Sequence, residues 1–206
     1  MSTGDRDHSM AATELAAIDF ESPGRYRIDN PQQQPPEHPS PAHTADTSGT
    51  LQPFESREDA RRHTLAMFAQ AQHSLRLYSP DLEPWLYNQS DIVQAATSFL
   101  LAHPRNHLRI LLADPTLAIR QGHRLLTLAR RLTSSIQIRT LNPDYPAQTS
   151  AFLVVDERCL LIRPEPERIA GYALYQNPGR ARALRHQFDT AWERSLSHPD
   201  LRSFLL

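Results

Sequence analysis

From Ser56 onward, helical and strand periodicities alternate along the sequence, and this alternation restricts the fold more than any other feature. Apolar residues at helical spacing predict helices over 56–72, 90–103 and 117–134, and each is followed by a short apolar strand. Strands 151–155 and 159–163 then flank the turn Asp156-Glu157-Arg158, which is typical of a β-hairpin, and 171–175 precedes a long last helix. The order predicts a single α/β domain, a mixed sheet flanked by helices.

The residues before this domain have a different composition. Residues 1–53 include a Pro- and Gln-rich run at 31–41 and predict a disordered acidic arm, so we place the α/β domain at 54–206. Before Ser56 there are nine acidic residues and three arginines, whereas from Ser56 onward 19 arginines face 14 acids. The basic domain suits an anionic ligand, and the acidic arm would compete with that ligand for the same surface, although a solvated arginine surface explains the same count.

Several classes of function are excluded by residue types that are missing or rare. All 22 basic residues are arginine, so neither a lysine Schiff base nor a Walker P-loop can form. Cys159 is the only cysteine, which excludes an intramolecular disulfide and a cysteine-rich zinc site. We expect no cofactor and no metal. The first residues lack the layout of a secretion signal and no apolar run is long enough for a membrane span, so a cytoplasmic location is expected.

Two segments carry a resemblance to a known superfamily. Tyr78-Ser79-Pro80-Asp81 and the hairpin 154–162 resemble the first strand and the motif hairpin of one half of a phospholipase D-like protein. The motif of that superfamily is H-x-K-x-x-x-x-D, whose histidine attacks phosphorus and whose lysine holds phosphate oxygens. Counting back from Asp156 puts Ala151 at the lysine position and Thr149 at the histidine position. The resemblance therefore implies a domain without catalytic residues, in which Asp156 serves as a turn residue.

The closer resemblance is to an uncharacterised bacterial family of phospholipase D-like domains, through the runs 78–87, 122–132 and 188–195. Some members are labelled acetyltransferase-related, but Arg120-Gln121-Gly122-His123 does not fit an acetyl-coenzyme A loop, so we do not extend that label to this chain. Because phospholipase D-like halves typically pair to form one site, the resemblance also implies a homodimer.

Polar residues near the predicted strand ends are the candidates for ligand binding. Arg139 and Arg163 end strands, where ligands meet open α/β sheets, and an arginine can hold phosphate through two parallel hydrogen bonds. Internal ion pairs with Asp81, Asp114 or Asp156 are the alternative, and the two strand-end acids Asp81 and Asp114 lack a third metal ligand. His123 follows Gly122 inside the predicted third helix and suits either anion binding or close packing. The full candidate set is Arg139, Arg163, His123, Arg124, Tyr78 and Asp81.

The sequence thus favours a catalytically inactive phospholipase D-like module with a regulatory role, which binds an anionic, phosphate-bearing ligand or a protein partner. Nucleic acid is one candidate ligand, although a balance of five positive charges is modest for a dedicated nucleic-acid binder. One alternative is a divergent phosphodiesterase or acyl-transfer enzyme that uses His123 with Arg139 and Arg163. Another is a protein-interaction scaffold without a small ligand.

Overall fold

A computed structural model describes residues 49–146, 149–198 and 201. Residues 1–48 of the predicted arm therefore lie outside the described residues. The strands are β1 (Gln52–Phe54), β2 (Ser74–Ser79), β3 (His107–Leu112), β4 (Ile136–Thr140), β5 (Ala151–Val155), β6 (Cys159–Arg163) and β7 (Gly171–Leu174). The helices are α1 (Arg57–Gln70), α2 (Pro84–Tyr87), α3 (Ser90–Ala102), α4 (Thr116–Arg120), α5 (Arg124–Arg131) and α6 (Pro178–Glu193). Among the described helices, none is long and apolar enough to cross a membrane.

The strands form one seven-stranded sheet in the order β1-β7-β6-β5-β2-β3-β4. Strands β2, β3 and β4 are parallel neighbours, whereas the other neighbouring pairs are antiparallel. Helices α1, α3 and α5 bury apolar side chains against one face of the sheet, and α6 covers part of the other face. These observations confirm the predicted mixed sheet flanked by helices.

The predicted third helix is broken in two. Gly122 lies between α4 and α5 with a φ of +61°, a left-handed conformation that glycine adopts without steric cost. The prediction of one continuous helix over 117–134 was therefore wrong, because Gly122 ends one helical segment and reorients the chain into the next. The break places His123 at the N-cap of α5.

The hairpin between β5 and β6 is confirmed, and Asp156 lies in its turn with a φ of +47°. Its carboxylate accepts hydrogen bonds from the backbone N–H groups of Gln72, His73 and Ser74 at 2.6, 2.8 and 2.8 Å. Asp156 thus fixes the loop that leads from α1 into β2, in addition to forming the predicted turn.

The two edges of the sheet are β1 and β4. Strand β4 pairs with β3 along its length, and on its outer side Thr140 forms an antiparallel bridge with Leu196. The Thr140 N–H donates to the Leu196 carbonyl at 2.9 Å, and the Leu196 N–H donates to the Thr140 carbonyl at 2.8 Å. Among the described residues this is an isolated bridge, because no other backbone hydrogen bond joins the segment after α6 to β4.

Candidate functional site

Thr149, at the histidine position of the phospholipase D motif, lines a cleft of about 560 Å³ beyond the end of β2. We call this the motif cleft; it is lined by Pro80, Asp81, Glu83, Thr149, Glu165, Pro166 and Glu167. Four of these seven residues are carboxylates, and the lining contains no arginine or histidine. Because carboxylates repel an anion, the lining opposes binding of a phosphate at this position.

A buried ion pair between Arg163 and Glu83 forms the base of this region. Arg163 is 1% exposed, and its guanidinium bonds the Glu83 carboxylate and the carbonyls of Pro166 and Arg168. The guanidinium also lies 5.0 Å from the centre of the Trp85 ring. Arg163 therefore forms an internal ion pair, which was the predicted alternative to ligand binding. Its partner is Glu83, however, and not Asp81, Asp114 or Asp156.

The loop after β2 has the backbone conformation that this pair requires. Leu82 and Glu83 both have positive φ, and the Ser79 hydroxyl and the Asp81 carboxylate accept from the N–H groups of Leu82 and Glu83. Burial raises the pKa of Glu83 to about 7, while the adjacent Arg163 charge acts in the opposite direction. No periodic signal in the sequence indicates this pair, because Arg163 ends β6 and Glu83 follows β2, two strand ends that are distant in the sequence.

The two motif positions differ in their location. Ala151 is the first residue of β5, is 3% exposed, and pairs in register with Arg163 of β6. Thr149 precedes the strand and lies exposed on the wall of the motif cleft. Among the described lining residues, carboxylates are the only groups that could accept the threonine proton, and the two arginines beside the cleft, Arg163 and Arg168, each pair with a lining carboxylate.

His123 lies in the interior, with its side chain 0% exposed. Its Nδ1 accepts a hydrogen bond from the Leu125 N–H at 3.2 Å, which caps the start of α5. Burial lowers the pKa of His123 to about 4, and the nearby Leu82 carbonyl partly opposes that shift. The ring is thus a neutral helix cap, and the close-packing alternative describes its surroundings better than contact with a ligand.

The other candidates are spread over the domain. Tyr78 is 2% exposed and packs against Phe152, with ring centres 5.6 Å apart. The side chain of Arg124 is exposed at the start of α5, and its backbone N–H donates to Asn88. Asp81 is half-buried in the motif cleft.

Arg139 lies on the α6 face of the sheet, whereas α5, which His123 caps, packs on the opposite face. The structure therefore does not bring His123, Arg139 and Arg163 together.

Arg139 belongs instead to a cluster on the α6 face that we call the arginine–tryptophan stack, formed by Arg109, Arg139 and Trp192. The guanidinium carbons of Arg139 and Arg109 lie 4.7 and 5.5 Å from the Trp192 ring centre. Arg139 also donates to the Trp192 carbonyl at 3.3 Å. Within the described residues neither arginine forms an ion pair, whereas the neighbouring Arg76 pairs with Asp189 at 3.0 Å.

Beside this stack, the outer side of β4 borders a second cavity of about 340 Å³, which we call the edge groove. It is lined by Ala129, Arg130, Thr133, Ile136, Gln137, Ile138, Arg139, Ser197 and Leu201. Among the described residues, this lining contains two arginines and no carboxylate, the reverse of the motif cleft. Arg139 belongs to both the stack and the groove, so the two form one continuous cationic surface.

Arg109 and Trp192 are site residues that sequence reasoning missed. A signal for Arg109 was present, because it alternates with the buried Leu108 and Ile110 and so points to the other face of the sheet. Trp192 lies on the apolar stripe of α6 and is 6% exposed, so its pattern is that of a core residue. Across the part of the chain that the structure describes, no group of His, Cys, Asp and Glu side chains could hold a metal ion.

The fold is similar to that of several solved structures. Nuc, a phospholipase D family member from Salmonella typhimurium, matches with a TM-score of 0.51 at 19% identity over 75% of this chain and 99% of that one. NucT from Helicobacter pylori matches with 0.50 at 8% identity, over 72% and 99%. TrmBL2, an archaeal chromatin protein, matches with 0.52 at 14% identity over 72% of this chain and 54% of its own, so this chain spans about half of TrmBL2.

At these low identities the structural similarity shows the fold alone, which is phospholipase D-like, as the motif resemblance implied. Among curated protein sequences, none matches this chain significantly. The sequence model of the Domain of unknown function (DUF7931) matches residues 56–204, which include all of the helices and all strands except β1. The chain therefore belongs to the DUF7931 family.

Proposed function

We propose that this chain is a phospholipase D-like module without phospholipase D chemistry, and that it binds an anionic ligand through the arginine–tryptophan stack and the edge groove. The observation that carries the proposal is the pair Arg109 and Arg139, held over one buried tryptophan ring without a carboxylate partner in the described residues.

Three features of the motif cleft support the absence of catalysis. The nucleophile position is Thr149 and the phosphate-binding position is the buried Ala151. Two arginines flank the cleft: Arg163 is engaged by Glu83 and by two backbone carbonyls, and Arg168 pairs with Glu165 at 2.9 Å. A phosphodiester placed there would meet four carboxylates, and both flanking arginines already pair with a carboxylate, so the cleft offers little to hold the phosphate or to stabilise the transition state.

Two features of the arginine–tryptophan stack support anion binding. Stacking on Trp192 holds both guanidinium groups in place, so less side-chain entropy is lost when a ligand binds. A guanidinium without a carboxylate partner keeps its donors for a ligand, and it can hold a carboxylate or a phosphate through two hydrogen bonds. Of the candidates from the sequence, Arg139 is retained in this proposal, while Arg163, His123 and Tyr78 are buried in internal contacts.

The binding test uses the full chain and two fluorescein-labelled probes, an oligothymidylate and an oligoglutamate of equal charge, in fluorescence anisotropy titrations. The double variant Arg109→Gln with Arg139→Gln should lose at least about tenfold in affinity, because each charged contact contributes roughly 1 kcal/mol or more. A matched control, Arg105→Gln with Arg182→Gln, removes the same net charge from two exposed side chains. Equal losses in both double variants would reduce the effect to net charge and refute the site.

Catalysis is tested separately, with a chromogenic phosphodiester as substrate. The wild-type chain should show no turnover above buffer, and Thr149→Val should leave that result unchanged. Hydrolysis by the wild type that disappears in Thr149→Val would overturn the claim of inactivity. The double variant Thr149→His with Ala151→Lys asks whether the ancestral geometry survives, and weak hydrolysis by a folded protein would show that it does.

The homodimer and the regulatory role stay predictions. If two chains pair as phospholipase D-like halves do, light scattering during size exclusion should give twice the chain mass of 23.4 kDa. A monomer at concentrations well above those used for binding would contradict the pairing and leave the proposed anion site intact.

A further inference from the structure

We propose that the ligand of the edge groove is an extended acidic peptide of a partner protein, which adds to the outer side of β4 as an antiparallel strand. This inference rests on the proposed function, because it names the ligand class for the same cationic surface. It adds a second mode of recognition, through the main chain of β4, that a simple anion site does not require.

The backbone of β4 presents hydrogen-bonding groups to the groove. The Leu108 N–H donates to Ser135 and the Leu141 N–H donates to Leu112, so the odd-numbered residues of this segment face β3. Residues Ile136, Ile138 and Thr140 therefore direct their N–H and carbonyl groups outward. Thr140 is satisfied by Leu196 and the Ile136 N–H by Leu132, whereas within the described residues the Ile138 N–H and carbonyl have no backbone partner.

One residue of the chain, Leu196, already pairs with the outer side of β4 in the antiparallel sense. The bridge at Thr140 is a closely spaced antiparallel pair with both hydrogen bonds formed, and within the described residues it is isolated. The next closely spaced pair would be formed at Ile138, where the edge groove lies. An added strand would therefore continue a pattern that Leu196 begins.

The side chains around the groove specify the charge of that strand. Ile138 points into the core on the α5 face, so Gln137 and Arg139 point to the α6 face. The ligand residue paired with Ile138 would point to the same face of the sheet as Ile138. The ligand residues before and after it would point to the α6 face, toward Arg139 and Arg109. Acidic side chains at alternate positions of the peptide would thus meet the arginine–tryptophan stack.

Single-stranded nucleic acid fits the same surface less well. Proteins that bind it without sequence preference offer aromatic faces on which bases stack. Here Trp192 is 6% exposed, with Phe188 stacked at 5.6 Å between ring centres and both arginines over the ring. A buried tryptophan with occupied faces orients the arginines and leaves no platform for a base.

The sharpest test alters the peptide and leaves the protein intact. Two labelled peptides of alternating Glu and Val carry N-methyl groups on the backbone, one at every Val and the other at every Glu. In the proposed pairing, valines lie opposite Ile138 with their N–H groups toward β4, so methylation at Val should abolish binding to the full chain. Methylation at Glu, whose N–H groups face away, should change affinity less than about threefold.

A matched pair of variants tests the protein side of the same hydrogen bonds. Ile138→Pro removes the outward N–H without breaking pairing to β3, and Ile138→Ala removes the same apolar side chain while keeping that N–H. The unmethylated peptide should bind Ile138→Pro at least about tenfold more weakly than Ile138→Ala. If Ile138→Pro fails to fold, the methylated peptides still decide the question.

The outcomes separate the two proposals. If both methylated peptides bind as well as the unmethylated one and Arg109→Gln with Arg139→Gln still weakens binding, strand addition is refuted and the anion site stands. The same holds if oligothymidylate binds more tightly than every peptide, which would identify nucleic acid as the ligand. If the arginine variants leave the affinity for all probes unchanged, the proposed function itself fails.

Discussion

The most quantitative prediction concerns His123 and the dependence of stability on pH. The neutral ring caps α5 in the protein interior, and burial lowers its pKa from 6.5 to about 4. Below pH 6.5 the unfolded chain therefore binds a proton that the folded chain does not, so the stability contributed by His123 is lost as the pH falls from about 6.5 to about 4. Integrating between about pH 7.5 and pH 5 gives a loss of about 2 kcal/mol from this one residue.

His123→Asn isolates that contribution, because asparagine also caps helices but does not titrate in this range. Urea unfolding followed by tryptophan fluorescence would give the free energy of unfolding of both proteins at each pH. The difference between wild type and variant is the quantity to compare, because the raised pKa of Glu83, about 7, makes the wild type gain stability as the pH falls.

At pH 7.5 the wild type should be more stable than the variant, because asparagine does not pack as the histidine ring does. The difference in free energy of unfolding between the two proteins should decrease by about 2 kcal/mol at pH 5. A difference that stays constant across this range, within about 0.5 kcal/mol, would show that the His123 ring is not held neutral and buried.

Three further changes test the fold. Gly171→Ala should destabilise the domain by about 3 kcal/mol, because a Cβ would lie 2.6 Å from Phe54 Cζ and against the Ile162 carbonyl; Gly179→Ala, with nothing within 4 Å, is the control, and equal unfolding midpoints would contradict the packing. Glu83→Ala should cost about 3 kcal/mol by leaving Arg163 buried without its carboxylate, and Glu83→Leu with Arg163→Met should recover most of it in the same urea assay. Gly122→Ala should cost about 1 kcal/mol through its positive φ alone, and no loss would mean that α4 and α5 are not separated there.

Much of the fold follows from periodicity in the sequence. The apolar patterns of the central strands predict their burial. Leu75 and Leu77 of β2 and all five residues of β5 are buried in the interior of the domain, as those patterns indicate. The break at Gly122 was not predicted, because a glycine between two segments of helical periodicity is compatible both with a continuous helix and with a left-handed turn. Strand β1 was not predicted either, since three residues carry no periodic signal.

The candidate site was less predictable, because it depends on which strand ends meet. Arg139 was identified from its position in a strand, but its partners Arg109 and Trp192 come from β3 and α6 and are joined only by the sheet register. Arg163 was predicted as a strand-end cation, and its burial against Glu83 depends on a loop with two successive positive φ values. A sequence pattern indicates which face of the sheet a side chain points to. Which charged side chains become neighbours across the sheet depends on how the strands are aligned, and the pattern does not give that alignment.

The central claim is that Arg109 and Arg139 bind the ligand directly. The measurement that tests it most directly is the salt dependence of oligothymidylate or oligoglutamate affinity for the full chain, compared with Arg109→Gln and Arg139→Gln singly and together. Each arginine that contacts a phosphate of the single-stranded oligothymidylate should reduce the slope of log affinity against log salt by about 0.7, so the double variant should lose about 1.4. An unchanged slope in the double variant would contradict the account and place the ligand elsewhere on the domain.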